Sequence, residues 1–269
     1  MAKYKKKRAR ELQHDRFRDA TMTVFDRLGN LLEGKGRPIL YSLAAVVLVV
    51  LAVVFWFKWS NRKSDEARRA LGRAISIATT PVSSTPSTDA NSPSFSSEQE
   101  RAQRAVEEFQ KVITKYGDPY RSEARYLAAT NLLSVDRNRA MGELAELSAK
   151  GSGEVSILAK FALAQAKEAE NSLDEAAQLY GELAKIDSSI ITPNTANLHL
   201  ALVWAKQGKK KEAADLLFNL VESSRKAQDT DGSPLPQTAA SREAARELQK
   251  IDPERYAQLT PESPAGLSF

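Results

Sequence analysis

Residues 172–186 read SLDEAAQLYGELAKI, and the register of the first alanine in this stretch decides the fold. Ala176 has counterparts at Ala105, Ala140 and Ala213, at successive spacings of 35, 36 and 37 residues. Four positions after each alanine stand Phe109, Leu144, Tyr180 and Leu217, and three positions further on Val112, Leu147, Leu183 and Leu220. Offsets of four and seven place all three columns on one face of a helix. Upstream of the last three alanines, the pairs Leu127-Ala128, Leu163-Ala164 and Leu200-Ala201 recur in the same register and predict a second helix in each unit. Short polar turns, VDRNR, ENS and QGKK, join the two. A small residue at a helix crossing lets the backbones approach, and the large residues one and two turns later fill the space where they diverge. One hairpin cannot bury its own apolar face, so the units must stack. The expectation is an all-α solenoid over residues 98–227, with no convincing strand.

Hairpins of about 34 residues, with Leu-Ala in the first helix and Ala-x-x-x-Phe/Tyr in the second, resemble tetratricopeptide repeats (TPR). The chain departs from that pattern in two places. Gly117, Ser152 and Ser188 stand where the family has proline after the second helix, and Ala124, Lys160 and Asn197 where it has an early tryptophan. The resemblance implies a curved protein-binding surface lined by first-helix positions, which by register are Arg125, Phe161, Gln165, Glu168, Leu198 and Leu202. Phe161 and Leu198 occupy equivalent sites and would anchor an apolar peptide segment; the alternative is that these side chains pack against the neighbouring helix.

Ahead of the repeats lies RPILYSLAAVVLVVLAVVFWFKWSNRK, residues 37–63. Ile39 to Phe57 carry no charge, and nineteen residues at ~1.5 Å of rise reach roughly 28 Å, close to the ~30 Å hydrocarbon core of a bilayer. The segment is apolar on every face, with Tyr41, Trp56 and Trp59 at its ends, as interfacial aromatics are. No small-residue cleavage site follows, so 39–59 reads as an uncleaved transmembrane signal anchor. Of 39 basic and 34 acidic residues, 11 and 5 precede the span, which leaves the remainder of the chain near neutral. The basic tail, 1–38, is expected to stay cytoplasmic and to place the C-terminal domain across the membrane. Lys58, Arg62, Lys63, Arg68, Arg69 and Arg73, just beyond the span, oppose that orientation locally.

Phe17, Val24, Phe25, Leu28, Leu31 and Leu32 form one face of an amphipathic juxtamembrane helix, either an interfacial helix and partner dock or a spacer. Residues 60–78 read as a helix leading into the exported domain, with Ser64 as its N-cap. Segment 79–97 holds fourteen Ser, Thr or Pro among nineteen residues and reads as a flexible loop. After a polar break, 238–251 is expected to form a C-terminal capping helix and 252–269 an irregular tail.

The chemistry-bearing residue types are sparse. There is no cysteine and there are two histidines, His14 and His199, which excludes thiol catalysis and zinc-thiolate sites. GKGRP at 34–38 lacks the rest of a phosphate loop and follows no strand. The expectation is no catalytic residue, no cofactor and no metal: not an enzyme. The basic charge lies on the tail rather than on the folded domain, which favours contact with anionic lipid over nucleic acid.

A cytoplasmic tail, one anchor with an aromatic and basic exit followed by DEAR, and Ala-rich repeat helices together resemble the YfgM-like ancillary subunits of the bacterial Sec translocon. The basic tail is longer than that family's pattern. The resemblance implies an inner-membrane, single-pass adaptor with a periplasmic C-terminal domain, whose partners are the SecYEG channel and a periplasmic chaperone. Two other readings fit the same layout: an assembly scaffold for another envelope complex, and a membrane-tethered regulator.

Overall fold

The computed structural model describes residues 48–51, 63–83, 94–151 and 153–261. The chain divides into two units, 1–65 and 66–269. In the first, 48–51 are helical and exposed; the tail 1–38, its amphipathic helix and the rest of the 39–59 span lie outside the described residues. Among the described residues no helix is long and apolar enough to cross a membrane.

Among its described residues the second unit is built of α-helices, with two isolated β-bridges. Helix α1 (63–78) is followed by α2 (Glu98–Lys115), α3 (Tyr120–Leu132), α4 (Arg137–Lys150), α5 (Gly153–Ala169), α6 (Leu173–Leu183), α7 (Pro193–Lys206), α8 (Lys210–Lys226), α9 (Ala239–Ile251) and the single turn α10 (Pro253–Tyr256). Each helix from α2 to α9 packs on the next, and α5 also meets α3, which makes a stack of antiparallel hairpins. Helix starts are set by side-chain caps. Ser97, Asp136, Thr192, Thr238 and Asp252 each accept a bond from the amide three residues on, which satisfies a donor with no partner inside the helix. The α7–α8 turn needs a left-handed residue and has Gly208, φ 82°, where a side chain would be strained.

The three sequence columns are the core. Ala105, Ala140, Ala176 and Ala213 are fully buried, as are Phe109, Leu144, Tyr180 and Leu217, with Val112, Leu147, Leu183 and Leu220 close behind. Removing an aromatic or leucine side chain of this class from water contributes about 1.5–3 kcal/mol each.

Four sequence expectations change. The repeats begin at α1 and not at residue 98: Leu71 and Ala74 pack with Ala105, Phe109 and Val112, which makes α1 the first helix of the first hairpin. Residue 63 is already helical, so Ser64 lies inside α1 and is not its cap. The ends of segment 79–97 are tied down. Val82 and Phe95 form a parallel bridge, the Ser83 amide donates to the Phe95 carbonyl at 3.1 Å, and Phe95 is buried; residues 84–93 lie outside the described residues. Nor is the tail from 252 irregular throughout. Asp252 caps α10, and Leu259 enters the last core cluster beside Leu217, Val221, Ala244 and Leu248, because α9 alone leaves part of the α8 face uncovered. Residues 262–269 lie outside the described residues.

Candidate protein-binding surfaces

The six first-helix positions have different surroundings. Arg125 on α3 reaches Glu143 and Glu146 of α4 at 2.8 and 3.2 Å, and the Glu143 bond holds its guanidinium even more firmly protonated. It lines a cleft of about 190 Å³ with Val106, Gln110, Ile113, Arg139 and others from α2, α3 and α4. Phe161 on α5 sits edge-on to Tyr180 of α6 and His199 of α7, ring centroids 5.8 and 5.1 Å away. Glu168 accepts from the Tyr180 hydroxyl at 3.1 Å and from Lys206 Nζ at 2.6 Å. Gln165 is exposed.

Leu198 is 7% exposed and belongs to the α7–α8–α9 cluster, with Leu202 packed half-buried against it. Phe161 belongs to the separate α5–α6–α7 cluster. The equivalence of Phe161 and Leu198 in the repeat register therefore does not make them neighbours in one groove. Leu198 is covered because the last hairpin must close its apolar face with the chain's own C-terminal helix.

Burial pushes the Tyr180 hydroxyl up, and the nearby Glu168 carboxylate adds to that. Burial pushes His199 down, against the pull of Glu168. Two aromatic rings, one imidazole and one ion pair thus join α5, α6 and α7. No group of three or more His, Asp or Glu side chains suited to a metal occurs among the described residues.

A larger cleft lies where sequence reasoning did not look. Ala177, Gly181 and Ala184 of α6, Asn197, Leu200 and Trp204 of α7 and Leu216 of α8 line a groove of about 720 Å³, edged by Gln178, Glu182 and Lys185. The signal was present in the same register. Positions equivalent to Ala177, Gly181 and Ala184 hold Val106, Gln110 and Ile113 in α2 and Met141, Ala145 and Ser148 in α4. Only in α6 are all three as small as alanine or glycine, and a Cβ placed on Gly181 would meet nothing within 4 Å.

No family model and no curated protein matches the chain. Two solved structures are similar to it, both of nearly identical TPR-like repeats of a kinesin light chain from Podosopora anserina, the second a single-substitution variant. Each is 16% identical with a TM-score of 0.49, covering 69% of this chain and 85% or 84% of the other.

Proposed function

We propose that the chain is a membrane-anchored adaptor that binds protein segments on its hairpin stack and performs no chemistry. The observation that carries this reading is the groove of α6, α7 and α8: a largely apolar cleft on a stack whose cores are already filled by the chain's own columns. Concave sites with apolar walls and a few polar groups at the edge are the usual places where proteins receive a ligand's apolar groups. The apolar 39–59 segment and the basic tail support a single-pass anchor in a bacterial inner membrane, with the tail against anionic cytoplasmic lipid and the repeats in the periplasm. The YfgM-like resemblance supports an ancillary place beside the SecYEG channel, passing emerging polypeptides to a periplasmic chaperone.

The test is affinity purification of the full chain from gently solubilised membranes. Translocon subunits together with a chaperone are the expected co-purifying proteins. A single biogenesis complex would replace this reading with an assembly scaffold, and a cytoplasmic protein lost on deleting residues 1–30 with a tethered regulator. A reporter fused after Phe269 tests topology separately; a cytoplasmic signal overturns the periplasmic placement.

A further inference from the structure

The geometry points to the groove of α6, α7 and α8 as the docking site for an acidic amphipathic segment of another polypeptide, its apolar side chains seated on Trp204 and Leu216 and a carboxylate facing Lys185 at the groove's edge. This deepens the adaptor reading and rests on it.

The apolar half follows from the lining. Three small α6 residues open a space that Trp204, Leu200 and Leu216 face, and none of these three positions fills it. Gly181 lies in the last turn of α6, still inside the helix, where glycine is a poorer helix former than alanine. Nothing in the chain's own packing requires the missing methyl group, since the space beside it is open. An incoming side chain uses that space.

The acidic half follows from what is neutralised and what is not. Glu182, at the edge, is already engaged: Lys160 Nζ lies 2.7 Å from it and Gln178 Nε2 donates to it at 3.1 Å, and the Lys160 bond holds its carboxyl below the usual range. Lys185, one turn further along, is exposed and makes no ion pair among the described residues. At the Trp204 end the chain turns through Lys209, Lys210 and Lys211. The Lys209 amide donates to the Trp204 carbonyl at 2.9 Å, all three lysines are exposed, and the carboxylates at this turn are the exposed Glu212 and Asp174, which accepts from Gln207 at 2.8 Å. At the groove's edge two lysines, Lys160 and Lys185, thus stand against one carboxylate, Glu182, which leaves a net positive charge there. A partner with carboxylates flanking its apolar residues is attracted there, and a basic one is repelled.

The test uses the full chain in detergent, in a Trp56→Phe, Trp59→Phe background, so that Trp204 is the remaining tryptophan. The probes are two fluorescein-labelled helical peptides with leucine at every third or fourth position, one carrying glutamate between the leucines and one lysine. The glutamate peptide is expected to change Trp204 emission and to bind more weakly as salt rises. Gly181→Leu fills the groove and should weaken it by about tenfold or more, with the helical circular dichroism unchanged. Lys185→Glu should weaken the glutamate peptide roughly two- to fivefold, the range of an exposed charge pair, and strengthen the lysine peptide. Equal binding of both peptides, or no binding of either, overturns the inference. So does concentration-dependent self-association abolished by Gly181→Leu, which would give the groove to a second copy. If Gly181→Leu loses the peptide but still co-purifies every membrane partner, the groove is not the adaptor's docking site, while the adaptor reading stands.

Discussion

The imidazole of His199 stacks on the phenol ring of Tyr180, with centroids 5.1 Å apart and planes 19° from parallel, and so joins α7 to α6 through two rings of different hairpins. Phe161 of α5 closes the cluster edge-on to both. The groups around the imidazole are Glu168, whose charge favours protonation, and Lys206, which opposes it. Burial decides the balance and lowers the histidine's affinity for a proton.

That sign fixes a pH dependence. A histidine whose folded pKa lies below its unfolded value, about 6.5, stabilises the fold when neutral, and the contribution declines as pH falls below the unfolded pKa. Urea unfolding from pH 8 to pH 5 should show a loss below about 6.5 that His199→Phe removes. An unchanged slope in that variant would show that the imidazole is not the group responsible.

Tyr180→Phe keeps the rings and deletes the hydroxyl that Glu168 accepts. It should cost about 1 kcal/mol, since Lys206 still occupies the carboxylate. Denaturant midpoints at constant m-value measure it.

Leu198→Ala removes a side chain sealed between α7, α8 and α9, and should destabilise by about 2–5 kcal/mol. A Phe161→Ala, Leu198→Ala double variant would therefore lose partners through unfolding, and crosslinking yields from it must be read beside a thermal melt.

Gly181→Ala should stabilise the second unit by about 0.5–1 kcal/mol, because it adds helix propensity and the new methyl meets open space. Gly142→Ala in α4, equally unobstructed, should gain a similar amount and leave the groove of α6, α7 and α8 as it is. Calorimetry on both tells propensity from any effect special to the groove.

The C-terminal clamp is acid-sensitive. Glu222 accepts from Lys226, and from the amide and hydroxyl of Thr260 at 3.0 and 2.6 Å; the Lys226 bond leads in drawing its pKa from 4.5 to about 2. A carboxylate depressed on folding contributes stability above its unfolded pKa and loses it as pH falls through the folded one. The protection factor of the Thr260 amide, its exchange rate taken relative to the intrinsic rate at each pH, should therefore fall between pH 4.5 and about 2. Glu222→Gln should show fast exchange already at neutral pH, while protection in α5 and α6 stays unchanged.

The sequence by itself determined the hairpin stack, because the column residues solve a local problem: an alanine at each crossing and large residues a turn away are needed wherever two such helices meet. It placed Ala105, Ala140, Ala176 and Ala213, and the α9 cap, without reference to any distant contact. It misjudged where the repeats begin, since the 79–97 insertion breaks the spacing between α1 and α2 and hides their pairing, which Leu71, Ala74, Ala105 and Phe109 reveal only in contact. It also treated Phe161 and Leu198 as one surface, because register says which positions are equivalent but not what covers each one. Coverage is a tertiary matter. Leu198 lies under α9 and Leu259, Phe161 is held by rings from two other helices, and the open space beside Gly181 exists because three separate helices leave it unfilled.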